Sequence, residues 1–262
     1  MLNFEVESDL LNRYVPAGTS LDSFKGKTYV SLVGFRFCRT KLLGRFAIPF
    51  HTDFDEVNLR FYVRRKEGAE DRRGVVFIAE VVPRLAIATV ARVLYGENYV
   101  CLPMRHNIET ERLKNTVEYQ WRVDGQWCRI SAQTSELPKQ PPEGSLEQFI
   151  TEHYWGYSSR RAGEPLEYHV SHVPWKVWAA PVRNLTGKPA RCMEEISEQS
   201  FSGALTVHSW QMDRPSLFLR PGESNEFGSL QIGSQSPSRR LDTLRWPVRI
   251  LFSLGSLLAE SS

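Results

Sequence analysis

Cysteine is scarce and scattered: Cys38, Cys101, Cys128 and Cys192 are the four in 262 residues, and no two of them form a C-x-x-C pair. That spacing excludes a disulfide-rich scaffold and a cysteine-based zinc site, and it leads us to expect reduced thiols in a cytoplasmic protein. The opening MLNFEVESDL lacks the basic and apolar regions of a secretory signal. Long apolar runs are missing as well. The longest tract, near Val248 to Leu258, is interrupted by Arg249 and two serines, too short and too broken for stable membrane insertion. Charge of one sign is not in excess: 33 Lys and Arg stand against 30 Asp and Glu, a net +3. With no basic run and no aromatic-rich RNA-binding signature, no nucleic-acid partner is expected. There is no internal repeat, no glycine-rich phosphate loop and no G-x-S-x-G elbow, which sets aside the commonest nucleotide-binding and hydrolase signatures.

What is present is ample core material, 41% hydrophobic with 11% aromatic residues, organised around two segments. In Pro49 to Val63, the residues Val57, Leu59, Phe61 and Val63 alternate with Glu56, Asn58, Arg60 and Tyr62. This is the period of a strand with one apolar face and one polar face, the latter turned to a lumen or to solvent. The companion Gly74 to Val82, GVVFIAEVV, is apolar on both faces except for Glu80, as expected of a strand deep in a sheet.

Around these, Met1 to Phe24 shows little periodicity and reads as peripheral. Thr28 to Phe37 reads as a buried strand with Gly34 a candidate bulge. Arg64 to Arg73 reads as a charged hairpin loop, either simply solvated or an anion patch. Pro83 opens a helix with Leu85, Ala88, Val90, Ala91 and Leu94 on its apolar face, stopped by Gly96. Asn98 to Pro103 forms a short strand, and Thr116 to Val123 pairs with Gln126 to Ala132 across Asp124-Gly125, a type I′ hairpin signal. After Pro138, Pro141 and Pro142, Ser145 is placed to cap a helix with Gln148 as its reciprocal partner, and Leu146, Phe149, Ile150 and His153 share its inner face. Tyr168 to Val173 is a further strand. About seven or eight strands and two helices in irregular order argue an α+β barrel or a highly curved sheet.

YVSLVGFRF, PFHTDFDEVNLRFYVRR, RRGVVFIAEVVPRLAIATVARVLYGENYVCLPMRH, GSLEQFITEHYWGY and YHVSHVPWKVW together resemble the YqjF-like family of uncharacterised bacterial proteins, over roughly Tyr29 to Trp178. That family is similar in fold to acetoacetate decarboxylase. The resemblance implies a single curved β barrel with two packed helices, its core over residues 25–180, and an apolar lumen. A weaker match continues over 181–219, and 220–262 is a polar, Gly-, Ser- and Pro-rich tail expected to be disordered. In acetoacetate decarboxylase a Pro-Lys-Lys element carries a Schiff-base lysine. Here the corresponding stretch is Pro103, Met104, Arg105, and an arginine stays protonated and cannot be that nucleophile. Lys114, in the charged ETERLKN, is not placed to replace it.

The remaining candidates are carboxylates, guanidinium groups and imidazoles. Glu80 is either a desolvated lumen carboxyl suited to acid or base work, or the structural partner of Arg60 or Arg84. Glu56 and Arg60 share a strand face and either clamp a polar ligand or form a solvated ladder. Arg105 and His106 stand near where the resembled decarboxylase keeps its reactive group, as anion binders or loop caps. His153 and Tyr154 are either ligand contacts or satisfied core groups. The best acidic cluster, His51, Asp53 and Asp55, reads as a strand cap, and His169 and His172 fall on opposite strand faces, so no metal and no cofactor are expected. Two functions follow: binding of a small apolar carboxylic or keto compound in the lumen, or acid/base catalysis on such a compound through Glu80 without a covalent lysine. A homo-oligomer paired edge to edge is compatible with either.

Overall fold

The computed structural model describes residues 1–37, 41–42, 46–47, 53–85, 88, 98–111, 114–134, 136–158, 166–170, 174–180, 182–186, 217–220, 228–232 and 249–252. Its strands, in chain order, are β1 Leu2–Val6, β2 Ser20–Leu21, β3 Thr28–Phe37, β4 Lys41–Leu42, β5 Phe46–Ala47, β6 Phe54–Glu67, β7 Glu70–Val82, β8 Tyr99–Cys101 and β9 Met104–Thr110. They continue as β10 Asn115–Val123, β11 Gln126–Thr134, β12 Trp155–Ser158, β13 Leu166–Val170, β14 Lys176–Ala179, β15 Val182–Thr186, β16 Leu217–Arg220, β17 Gly228–Ile232 and β18 Arg249–Phe252. Short helices cover Ser8–Leu11 and Leu146–Thr151.

The large sheet runs β1-β3-β6-β7-β12-β13-β17-β18-β4-β5, with β2 also on β6 and β8 also on β7; a four-stranded sheet runs β15-β11-β10-β9, and β14 pairs with β16. Among the described residues none of these sheets closes on itself, so the architecture is a mostly β fold with small helices, and the expected single barrel is not seen as such. The helix expected after Pro83 is described only at its start, where the Ala88 amide donates to the Arg84 carbonyl at 3.1 Å. Leu85, expected on its apolar face, is 66% exposed. The expected polar tail falls largely outside the described residues; the two described pieces, β17 and β18, pair with each other in the large sheet. No helix among the described residues is long and apolar enough to cross a membrane.

β6 is the middle of the molecule. Its Val57, Leu59, Phe61 and Val63 join Val30, Leu32, Val76 and Ile78 against Tyr119, Trp121 and Ile130 of the four-stranded sheet, forming the main core. Its other face is covered too: Tyr62 packs with Tyr29, Val75 and Met1 against Leu146, Phe149 and Ile150 of the second helix. That helix starts as its sequence predicts, Ser145 Oγ accepting from the Gln148 amide at 3.1 Å, while Gln148 Oε1 accepts from the Gly144 amide at 2.7 Å. The half-polar strand is therefore buried on both sides, and its polar side chains face protein rather than open solvent.

Four further expectations change. Met1 to Phe24 is not peripheral: β1 pairs with β3 over Leu2–Leu32 to Val6–Thr28, and Leu2, Phe4 and Val6 alternate into the core. Arg64 to Arg73 is not a loop. β6 and β7 continue through it to a turn at Gly68, whose φ is 59°, because cross-strand and neighbouring carboxylates neutralise the arginines, as where Arg72 meets Glu167 at 2.7 Å and Arg65 meets it at 3.1 Å. The segment after Pro103 is strand β9, not a loop. Finally, the thiols are not all reduced: Cys128 is disulfide-bonded, while Cys101 is free.

Gly156 is required by close approach. It lies opposite Tyr168 in the β12–β13 pair, and a Cβ there would stand 2.1 Å from Tyr168 Cζ. Gly156→Ala must displace a buried ring, and we expect a loss of about 1–3 kcal/mol in urea unfolding. An unchanged midpoint would show that the ring swings aside freely.

Candidate functional site

The sheet register assembles the site. Between β6 and β7 the pairing runs Leu59 with Ala79 and then Arg60 with Phe77, so Ile78 is an inserted residue. Strict alternation from Val76 and Ile78 would send Glu80 into the apolar core between the sheets. The bulge reverses that parity and sets Glu80 opposite Asn58 on the helix-side face. That face therefore carries, along β6, Glu56, Asn58, Arg60 and Tyr62, with Glu80 across from Asn58 and Ser31 of β3 across from Arg60.

The strip is buried at Glu56, Asn58, Glu80 and Ser31. Asn58 Nδ2 donates to Glu56 Oε1 at 3.2 Å, and Tyr99 Oη donates to Glu56 Oε2 at 3.3 Å. Tyr62 Oη and Ser31 Oγ are 2.5 Å apart, and Ser31 Oγ donates to Asn3 Oδ1 at 2.7 Å. Arg60 is half-buried, and its Nε is buried without a hydrogen bond among the described residues. The expected pairing of Glu80 with Arg60 or Arg84 is not formed among the described residues, where neither arginine has an ion pair.

Beside this strip sits a second constellation. Asp22, fully buried, follows β2 and donates its amide to the Tyr62 carbonyl at 2.9 Å. Its Oδ1 accepts from Arg64 Nε at 3.1 Å and Nη2 at 2.6 Å, and its Oδ2 accepts from Arg73 Nε at 2.8 Å. His153 Nε2 is 3.2 Å from Oδ2, and its ring packs at a 42° tilt against Tyr62 at 4.6 Å and meets Phe149 edge-on at 5.2 Å. Burial alone would raise the Asp22 carboxyl, but hydrogen bonds from His153, Arg73 and Arg64 hold it far below the usual carboxylate range. Burial lowers His153 to about 4, helped by the charges of Arg73 and Arg60 and opposed by Asp22. The imidazole is thus neutral, donating from Nε2, and its buried Nδ1 has no hydrogen-bond partner among the described residues. His153 points inward as expected, although the helix ends at Thr151 and the residue lies beyond it rather than on its face; Arg60 is near enough for its charge to act on the ring.

The other candidates lie elsewhere. Arg105 of β9 donates to Gln120 Oε1 at 2.7 Å and lies 4.1 Å over the Trp127 ring on the outer face of the smaller sheet. His106, its neighbour, points the other way: Nδ1 donates to Asp55 Oδ2 at 2.8 Å, and Nε2 accepts from Arg36 Nη1 at 3.0 Å. Tyr154 is half-buried and joins strands through its backbone, its amide donating to the Arg73 carbonyl at 3.2 Å. Of the acidic cluster, His51 lies outside the described residues, Asp53 stands 3.7 Å from Arg36 and Asp55 faces His106. Thus Glu56, Arg60 and Glu80 come together, His153 adjoins them, and Arg105, His106 and Tyr154 do not join them. Sequence reasoning missed Asn58 and Asp22. Asn58 was legible from its phase with Glu56 and Arg60; Asp22, in SLDSF, carries no signal that separates it from a solvated loop residue.

A family model described as an uncharacterized conserved protein, DUF2071, matches residues 1–200, which takes in the bulge, the polar strip and the second helix. The chain belongs to the DUF2071 family. No curated protein matches it in sequence. In fold it is similar to an acetoacetate decarboxylase from Legionella pneumophila, with TM-score 0.53 and 11% identity over 96% of this chain and 83% of that one. It is also similar to an acetoacetate decarboxylase-like enzyme from Sphingomonas wittichii, with TM-score 0.51 and 14% identity over 72% of this chain and 77% of that one. A third similar structure is the enduracididine biosynthesis enzyme MppR, solved with a condensation product of pyruvate and imidazole 4-carboxaldehyde, with TM-score 0.50 and 14% identity over 71% and 72% of the two chains. At these identities the likeness establishes an acetoacetate decarboxylase-like fold for this DUF2071 member and nothing of its chemistry.

Proposed function

We propose that the protein binds a small, largely apolar carboxylic or keto compound on the helix-side face of β6 and β7, in a lumen of the acetoacetate decarboxylase-like type, with Arg60 on the charged end. Arg60 carries this reading: it lies among buried polar side chains, its Nε is buried without a hydrogen bond, and it has no ion-pair partner among the described residues. A planar anion bound side-on satisfies such a guanidinium. Phe77, Val33 and Tyr62 on the same face supply apolar walls. A pyruvate-derived compound bound by a protein of similar fold is compatible with this ligand class.

A second reading, catalysis by proton transfer, is favoured by Glu80, a buried carboxyl set by the bulge beside Asn58 on that face. Schiff-base chemistry has no support, since no lysine is among the buried residues described. Native mass spectrometry of freshly purified protein is expected to retain a small acid, and Arg60→Gln to weaken its binding about 10- to 100-fold through loss of charge-assisted hydrogen bonds. A wild-type protein that carries no such compound and binds none from a panel of aliphatic carboxylic and 2-keto acids overturns the proposal. Glu80→Gln separates the two readings: turnover lost with binding kept identifies an enzyme, whereas binding without turnover in either protein identifies a binding module. Borohydride trapping with the same acids should leave every lysine unmodified.

A further inference from the structure

β9 is the outer strand of the four-stranded sheet, and no strand among the described residues pairs with its far edge. It is seven residues long, MRHNIET, and runs through five consecutive exposed residues from Arg105 to Glu109, with Ile108 42% exposed. Edges of this length are commonly blunted by proline, charged side chains or a bulge; β9 has no proline and no bulge, and its two charges, Arg105 and Glu109, are opposite in sign. Which of its backbone groups face outward follows from one bond. The Arg122 amide donates to the Pro103 carbonyl at 2.9 Å, in the same register that pairs Asn107 with Glu118. Hydrogen-bonded pairs alternate in an antiparallel ladder. Arg105, Asn107 and Glu109 therefore bond into β10, while the amides and carbonyls of Met104, His106, Ile108 and Thr110 point away from it.

We propose that this edge pairs antiparallel with β9 of a second copy of the chain, about a two-fold axis through Asn107. In that register the outward-bonding residues meet each other, Met104 opposite Thr110 and His106 opposite Ile108, so the ladder continues across the axis. Arg105 of each copy falls opposite Glu109 of the other on the outer face, giving two ion pairs. Moving the axis to His106 sets Arg105 against Asn107 and loses both pairs, whereas moving it to Ile108 sets Glu109 against Asn107 and leaves Arg105 facing Glu111, past the end of β9. Arg105 is already oriented by Gln120 and Trp127 on that face, and the Glu109 carboxylate accepts from the Asn107 side-chain amide at 3.1 Å, its one hydrogen bond among the described residues. The exposed pairs select register and partner rather than supply most of the affinity, which comes from the backbone bonds and the cover gained by Ile108. The arrangement is isologous and closed, one dimer rather than a growing filament.

Sedimentation velocity of the full chain over a concentration series tests it. The wild type is expected at twice the chain mass, and Glu109→Arg, which sets four arginines across the axis, is expected to be monomeric at the same concentrations. The swapped variant Arg105→Glu/Glu109→Arg should recover the dimer. Ile108→Pro removes an outward amide that makes no bond to β10 and is likewise expected to be monomeric, with circular dichroism reporting whether each variant is folded. A wild type that stays monomeric at the highest concentration, or a dimer that survives both Glu109→Arg and Ile108→Pro, overturns the proposal.

Discussion

Asp22→Ala is expected to lower the unfolding free energy by roughly 3 kcal/mol, the lower part of the range for removing one member of a buried charge cluster. The carboxylate is inaccessible to water and accepts from Arg64, Arg73 and His153. Without it, two guanidinium groups face each other and a buried imidazole N–H loses its acceptor. The cost stays below the top of the range because the arginine side chains are 37% and 28% exposed and reach solvent. For a chain of this size that corresponds to a fall in melting temperature of about 10 °C. Glu70→Ala is the control: Glu70 also pairs with an arginine, Arg72 at 3.0 Å, but is 58% exposed, so its removal should change stability by less than about 1 kcal/mol. Equal losses in the two variants would contradict the view that Asp22 ties β2, the β6–β7 hairpin and the second helix together.

How much of this was readable beforehand differs element by element, for physical reasons. Thr28–Phe37 was legible because β-branched and aromatic side chains crowd it and the Lys25-Gly26 turn precedes it. The Asp124-Gly125 hairpin was legible because only a few residues tolerate the observed φ of 45° and 79°. The Ser145 cap follows from local spacing, whereas His153 points inward from beyond the helix end. The burial of Glu80 was legible from its apolar run, but its position beside Asn58 was not, because the bulge is a one-residue slip where Ile78 and Ala79 are both apolar and either parity reads as core. β9 was read as a loop because a solvent-facing edge strand shows no apolar alternation. The arginine-rich β6–β7 hairpin looked like a solvated loop because its partners, Asp22 and Glu167, are remote in sequence. What escaped the sequence was pairing between distant segments, which no local period encodes.

Acidification between pH 6.5 and 4 should then destabilise the fold mainly through His153. Its folded value, lowered to about 4, lies below the ordinary 6.5 of an exposed imidazole. Above pH 6.5 neither state carries the proton and the group contributes no pH dependence. Below it the unfolded chain takes up a proton that the folded protein refuses, so stability is lost as pH falls and the loss levels off below about 4. At pH 4.5 the deficit relative to pH 7 is roughly 2 to 3 kcal/mol. Asp22 acts in a separate window: its folded carboxyl is held far below the ordinary value, so its stabilisation is complete above the unfolded carboxylate range and is lost only on further acidification. The charges facing His153 are Asp22 next to β2, Arg73 of β7 and Arg60 of β6; the helix that ends two residues before it contributes Phe149. Burial, assisted by the charges of Arg73 and Arg60, explains why the proton is refused although the Asp22 carboxylate lies within hydrogen-bond reach. Urea midpoints of wild type and His153→Gln at pH 7 and pH 4.5 test the assignment. The variant is expected to begin less stable at pH 7, because glutamine does not reproduce the ring packing against Tyr62, yet to lose much less on acidification. The same drop in both proteins would place the titration on another group.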